Sequence, residues 1–130
     1  MNNRILITGA TGRVGADILR QLPAGSVIRA GVRQPEEARK KLKRTDVEYV
    51  PLDFEQPATF APALEGVTRV FLMWPAVKTD YVMQFIAAAE QAQVQQVVFL
   101  SIIVAEQLPF LSHRKVEKRL EASSMSYTFL

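Results

Sequence analysis

The sequence predicts an α/β fold, a doubly wound parallel β-sheet with helices on both faces. Two observations carry this expectation. Short apolar runs of strand length alternate along the chain with segments whose apolar residues recur at helical spacing. The first run ends in three glycines spaced by three, and a helical pattern opens directly after them. Alternating strands and helices imply right-handed crossovers, which set the strands parallel and cover both faces of the sheet. The 130 residues make one domain, residues 1–130, long enough for a real core.

The elements follow in order. Arg4 to Thr8 is the first strand, and its Ile5-Leu6-Ile7 run suits a strand buried on both faces. Thr8-Gly9-Ala10-Thr11-Gly12-Arg13-Val14-Gly15 turns the chain, and Val14, Ile18, Leu19 and Leu22 then fall at helical spacing. After Pro23-Ala24-Gly25 a second strand runs from Ser26 to Val32. A basic helix over Gln34 to Lys43 begins with Pro35 in its first turn. Val47 to Pro51 is the third strand. Pro57 opens a short helix, Ala58 to Leu64, that stops at Gly66. Thr68 to Met73 is the fourth strand, stopped by Trp74-Pro75. Thr79 or Asp80 caps a long helix to about Ala92, with Val82, Phe85, Ile86 and Ala89 on one face. Val94 to Ser101 contains the fifth strand, Val97 to Leu100. A loop from Ile102 to Leu111 leads to a helix over Ser112 to Ala122, and Tyr127 to Leu130 begins a sixth strand. The succession is that of a Rossmann-type domain that stops after its sixth strand.

Composition narrows the chemistry. Nearly half of the residues are apolar, which argues against disorder. There is no cysteine, which excludes disulfides, thiol catalysis and thiolate metal sites, and one histidine makes a histidine-based metal site improbable. No metal is expected. Met1-Asn2-Asn3-Arg4 leads straight into the first strand, leaving no room for a leader peptide, and no apolar run is long enough to span a bilayer. The expected protein is cytoplasmic, with no membrane partner. The net charge of +3 is local: Arg33 to Arg44 holds six basic residues against Glu36 and Glu37. Without interleaved aromatics or a binding motif, this is a solvated helix face and no nucleic-acid site.

The glycine turn is a phosphate-binding device. A helix N-terminus leaves N–H groups free and carries partial positive charge, so a pyrophosphate can sit there. Gly9 permits the sharp turn, Gly12 the close approach of backbone to phosphate, and Gly15 close packing of helix on strand. Thr11, Arg13 and Val14 complete the cofactor-binding turn. In such sheets the ligand lies along the carboxyl ends of the strands, so the strand ends are candidates in turn. An NAD enzyme places an acid after the second strand to hold the ribose hydroxyls. Here no acid stands between Asp17 and Glu36, and Arg33 occupies that end, where it can pair with a 2′-phosphate. Arg13 is a second candidate for the same phosphate. NADP is favoured over NAD. Asp53, with Phe54 beside it, follows the third strand and either accepts from the adenine amino group or serves its own turn. Met73, Trp74 and Pro75 end the fourth strand, where backbone would line the ribose of the cofactor.

Several segments together resemble the NmrA-like atypical short-chain dehydrogenase/reductases. They are the Gly-x-x-Gly-x-x-Gly turn, Leu52-Asp53-Phe54 through Phe71, Phe85 to Ala89 and Val97 to Ser101. The segment from His113 to Leu130 is similar to the NADPH-quinone reductase branch of that family. The resemblance implies an NADPH-dependent reductase of quinones or small carbonyl compounds. It also carries over Ser101 as a substrate-side serine and His113 in place of the lysine of a Tyr-x-x-x-Lys pair; the tyrosine position holds Pro109. Ser101 and His113 are therefore the catalytic candidates, and His113 can alternatively bind ribose. Family members continue past the sixth strand to build the substrate pocket, so a cofactor site and little substrate site is expected here. The alternative is a non-catalytic, NADP-binding redox sensor acting through a regulatory protein partner. A homodimer through apolar surface near the last strand is a further expectation.

Overall fold

The computed structural model describes residues 4–9, 13–22, 27–43, 46–73, 78–100 and 110–129. Six strands form one sheet: β1 (Arg4–Thr8), β2 (Val27–Val32), β3 (Val47–Pro51), β4 (Arg69–Met73), β5 (Gln96–Leu100) and β6 (Ser126–Phe129). Their order is β3-β2-β1-β4-β5-β6, and every pairing is parallel. The described helices are α1 (Arg13–Gln21), α2 (Pro35–Leu42), α3 (Phe60–Leu64), α4 (Thr79–Gln91) and α5 (Phe110–Glu121). The chain winds outward from β1 to β3, crosses back, and winds outward again from β4 to β6. Strand order thus reverses between β1 and β4. This is a Rossmann-type fold.

The strand sequences explain the layering. Residues of β1 alternate between faces, and both faces are covered. Leu6 joins a core cluster with Leu64, Val82, Phe85, Ile86 and Leu120, so α3, α4 and α5 cover that face. Ile5 and Ile7 join Ile28, Ala30, Ala38 and Tyr49, with Ile18 and Leu22 packed against them, so α1 and α2 cover the other. In α4, Val82, Phe85, Ile86 and Ala89 are all buried, as their spacing requires.

Element ends differ from the sequence expectation at several places, for local reasons. The helix over residues 58–64 is divided: Pro57–Thr59 is a 3-10 turn and the α-helix starts at Phe60. Gly66 ends that segment in the left-handed region at φ 72°. The cap of α4 is Lys78, not Thr79 or Asp80. Lys78 is extended (φ −60°, ψ 143°), so Thr79 and Asp80 lie inside the first turn, where Asp80 faces the positive end of the helix dipole. Lys43 closes α2 in the left-handed region, its N–H donating to the Arg39 carbonyl at 3.0 Å. α1 begins at Arg13, ahead of Gly15, and α5 at Phe110, two residues ahead of Ser112. β6 starts one residue early, at Ser126.

Candidate functional site at the carboxyl ends of the strands

Strand order reverses between β1 and β4, and a doubly wound sheet takes its ligand outside the carboxyl ends of the strands at such a reversal. Two residues set the exit from β1. The Thr8 hydroxyl donates to the Phe71 carbonyl at 3.2 Å and accepts the Met73 N–H at 3.0 Å, tying the end of β1 to β4. Gly9 then turns the chain at φ 66°, and a β-carbon there would lie 3.4 Å from the Met73 sulfur. That is ordinary van der Waals contact, so position 9 is glycine for its conformation. Gly15 is buried within the first turn of α1.

One strand further out, a cleft of about 620 Å³ opens beside the end of β2. It is lined by Val32, Arg33 and Gln34 at the end of β2, by Glu37, Ala38 and Lys41 of α2, and by Asp53. Arg33 is exposed and forms no ion pair with any described residue. Asp53 is half-buried and has a structural duty as well: its Oδ1 accepts the Glu55 N–H at 2.9 Å. The Asp53 N–H in turn donates to Thr59 Oγ1 at 3.0 Å. The turn role and the cleft-lining role of Asp53 coexist.

The structure brings Gly9, Met73, Arg33 and Asp53 to one end of the sheet. It does not bring Phe54 into the cleft. Its ring packs into the core, 5.0 Å from Phe85 and 5.9 Å from Phe60, because the turn after Asp53 rolls position 54 inward. The placement of Thr11, Gly12, Trp74, Pro75 and Ser101, and the side chains of Arg13, Val14 and His113, lie outside the described residues. The backbone of His113 belongs to the first turn of α5.

The NmrA-like family model matches residues 1–130. The chain belongs to the NmrA-like family. Among its relatives, an uncharacterized oxidoreductase of Bacillus subtilis, YesF, is 36% identical over 81% of this chain and 36% of its own length. The NAD(P)H azoreductase of Xenophilus azovorans is 31% identical over 97% of this chain and 46% of its own. Among solved structures, the NADPH complex of the NADPH-dependent quinone oxidoreductase QOR2 from Escherichia coli superposes with a TM-score of 0.78. That match, at 29% identity, covers 96% of this chain and 47% of the other. This NmrA-like chain thus spans less than half the length of these relatives.

Three further residues of the NmrA-like chain hold the site's scaffold and are not evident from the sequence. Arg29 lies inside β2, 5% exposed. Its Nε pairs with Glu48 Oε1 at 2.5 Å, and its Nη1 donates to the carbonyls of Ala63 at 2.7 Å and Glu65 at 2.9 Å. A single guanidinium thereby satisfies carbonyls at the end of α3 that have no helical partner. Thr59 steadies the Asp53 loop; a threonine where a 3-10 turn meets a helix is the available signal. Glu90 of α4 pairs with Arg119 of α5 and accepts the Ser124 N–H at 3.1 Å. The Arg119 guanidinium, aided by the Ser124 amide, holds the Glu90 carboxyl below its ordinary range. No helix among the described residues is long and apolar enough to cross a membrane.

Proposed function

We propose that this chain is the NADP(H)-binding part of an oxidoreductase that reduces quinones or related electron-poor acceptors. The observation that carries the reading is the cleft at the end of β2, with exposed Arg33 lining it at the position where an NAD enzyme has a carboxylate. The residues fit the cofactor. Gly9 itself adds no side chain where the chain turns out of β1 towards the helix N-terminus. Arg33 pairs with the 2′-phosphate, and Asp53 offers its remaining carboxylate oxygen to the adenine edge. Bound NADPH supplies hydride to the acceptor. His113, at the start of α5, then delivers a proton to the reduced oxygen. A quinone needs mainly the hydride, so Pro109 in the place of a tyrosine acid is tolerable for this class of acceptor. The relatives' names, NAD(P)H azoreductase and NADPH-dependent quinone oxidoreductase, support the same acceptor chemistry.

A second reading keeps the cofactor and drops the turnover. Pro109, which removes the usual proton donor, favours a redox sensor that acts through a protein partner. Two measurements separate these readings. NADPH titration of the native chain and of Arg33→Ala should show binding that collapses in the variant; equal binding removes Arg33 from the site. Steady-state NADPH oxidation with a quinone panel should show turnover that falls in His113→Ala. Tight NADPH binding with no turnover on any quinone selects the sensor.

A further inference from the structure

We propose that Glu37 gives the Arg33 cleft a second nucleotide setting, in which its carboxylate holds the ribose hydroxyls of NADH. The inference rests on the nucleotide reading above and concerns selectivity within it. Adjacent residues on α2 have different duties. Ala38 is buried and adds only its methyl group to the cleft lining, and Glu36 pairs with Arg39 at 3.0 Å. Arg39 in turn lies over the Tyr49 ring, 5.6 Å from its centre, which commits the Glu36 side to the outer surface of α2. Glu37 is one residue on, on the face it shares by helical spacing with Gln34 and Lys41, and all three line the cleft. It is exposed and forms no ion pair with any described residue.

The cleft therefore presents two cations, Arg33 and Lys41, and two carboxylates, Glu37 and Asp53. Asp53 is partly engaged by the Glu55 N–H, whereas Glu37 is available to a ligand. A surface shaped only for a 2′-phosphate dianion gains nothing from such a carboxylate, because like charges repel there. A ribose diol gains directly, since a carboxylate accepts two hydroxyl hydrogen bonds and those to a charged acceptor are the strong kind. The ribose acid that a NAD site places at the strand end is thus supplied here from the helix. Arg33 recognises one nucleotide and Glu37 the other, and the NADPH preference set by Arg33 is held down by its neighbour.

The experiment is calorimetric titration of the native chain, Glu37→Gln and Glu36→Gln, each with NADPH and with NADH. Native protein should bind both. Glu37→Gln should weaken NADH and tighten NADPH, moving the ratio of the two affinities by about tenfold, as loss of a charge-assisted hydrogen bond implies. Glu36→Gln should leave the ratio unchanged. Because the readout is a ratio within one protein, a loss of folded material does not imitate it. An unmoved ratio in Glu37→Gln overturns the proposal while NADP(H) binding stands, as does an equal shift in Glu36→Gln or a native chain that binds NADPH alone. A native chain that binds neither nucleotide overturns the underlying reading and this inference together.

Discussion

Gly31 and Leu52 share one space. A β-carbon on Gly31 would fall 2.5 Å from Leu52 Cδ2 and 3.0 Å from Leu52 Cβ, with Leu6 Cδ1 3.3 Å away on the neighbouring strand. Leu52 is buried, and its N–H donates to the Val32 carbonyl at 2.8 Å. The segment that carries Asp53 is thereby seated on the end of β2, beside Arg33. Gly31→Ala should cost about 1–3 kcal/mol by overpacking. Leu52→Ala alone should cost about 2–4 kcal/mol as a cavity. The double variant should cost less than the two together, because the small residue at 52 makes room for the methyl group at 31. Urea melts of the four proteins measure this, and strictly additive losses would show that the two positions do not compete.

Arg29 supports an interaction different in kind. Arg29→Met keeps most of the buried volume but leaves the Ala63 and Glu65 carbonyls without their donor and Glu48 without its partner. The expected loss is about 3 kcal/mol. Glu48 is half-exposed, so Glu48→Gln should cost under about 1 kcal/mol. Similar losses in the two variants would mean that the ion pair, and not the capping of α3, is what Arg29 contributes.

Gly9→Ala should destabilise the fold by about 1–2 kcal/mol, the cost of a left-handed backbone with a side chain. Gly15→Ala tests packing instead and carries no such conformational cost. A chemical melt in which Gly9→Ala matches the native midpoint would contradict the backbone conformation at that turn.

The Glu90–Arg119 pair predicts an acid-sensitive joint between α4 and α5. The folded-state pKa of Glu90 is depressed, so its stabilisation is present in full above the ordinary value near 4.5 and is lost as pH falls through the folded value. Against the native chain, Glu90→Gln should be less stable at neutral pH by about 1 kcal/mol. The difference should vanish below the carboxylate range. Thermal melts from pH 7 down to pH 3 follow the convergence; a constant gap would assign the loss to packing.

Much of this was legible before any coordinates. Ile5-Leu6-Ile7 and Val97 to Leu100 read as strands because burial on both faces leaves no polar position in them. Val82, Phe85, Ile86 and Ala89 read as one face because four buried residues at that spacing admit one period. The position of Arg33 just past the end of β2 was legible as well, since the extent of that strand can be read from the turn before it and the apolar run within it. Arg29 was not: its value lies in the carbonyls of α3, more than thirty residues away, and no local pattern records them. Phe54 misled because its neighbour Asp53 does face the cleft, and a turn sends successive side chains to opposite sides. Lys78 escaped for a related reason. A cap is defined by where the backbone leaves the extended region, and Thr79 and Asp80 merely look like better caps.

The central position of β1 also governs the order in which the sheet can be made. β1 pairs with β2 on one side and β4 on the other, and Leu6 finds its second partner only in Val70. During synthesis the strands as far as Pro51 can assemble early, yet the inner edge of β1 stays bare until Arg69–Met73 has emerged. That edge carries the apolar run Ile5, Leu6 and Ile7, and a bare parallel edge is a template for mispairing. Sequence-distant pairing of this kind slows folding. The hazard falls in one window of translation, between the emergence of Pro51 and that of Arg69–Met73. A pause that holds the chain in that window prolongs the exposure, and one that comes after β4 has emerged does not.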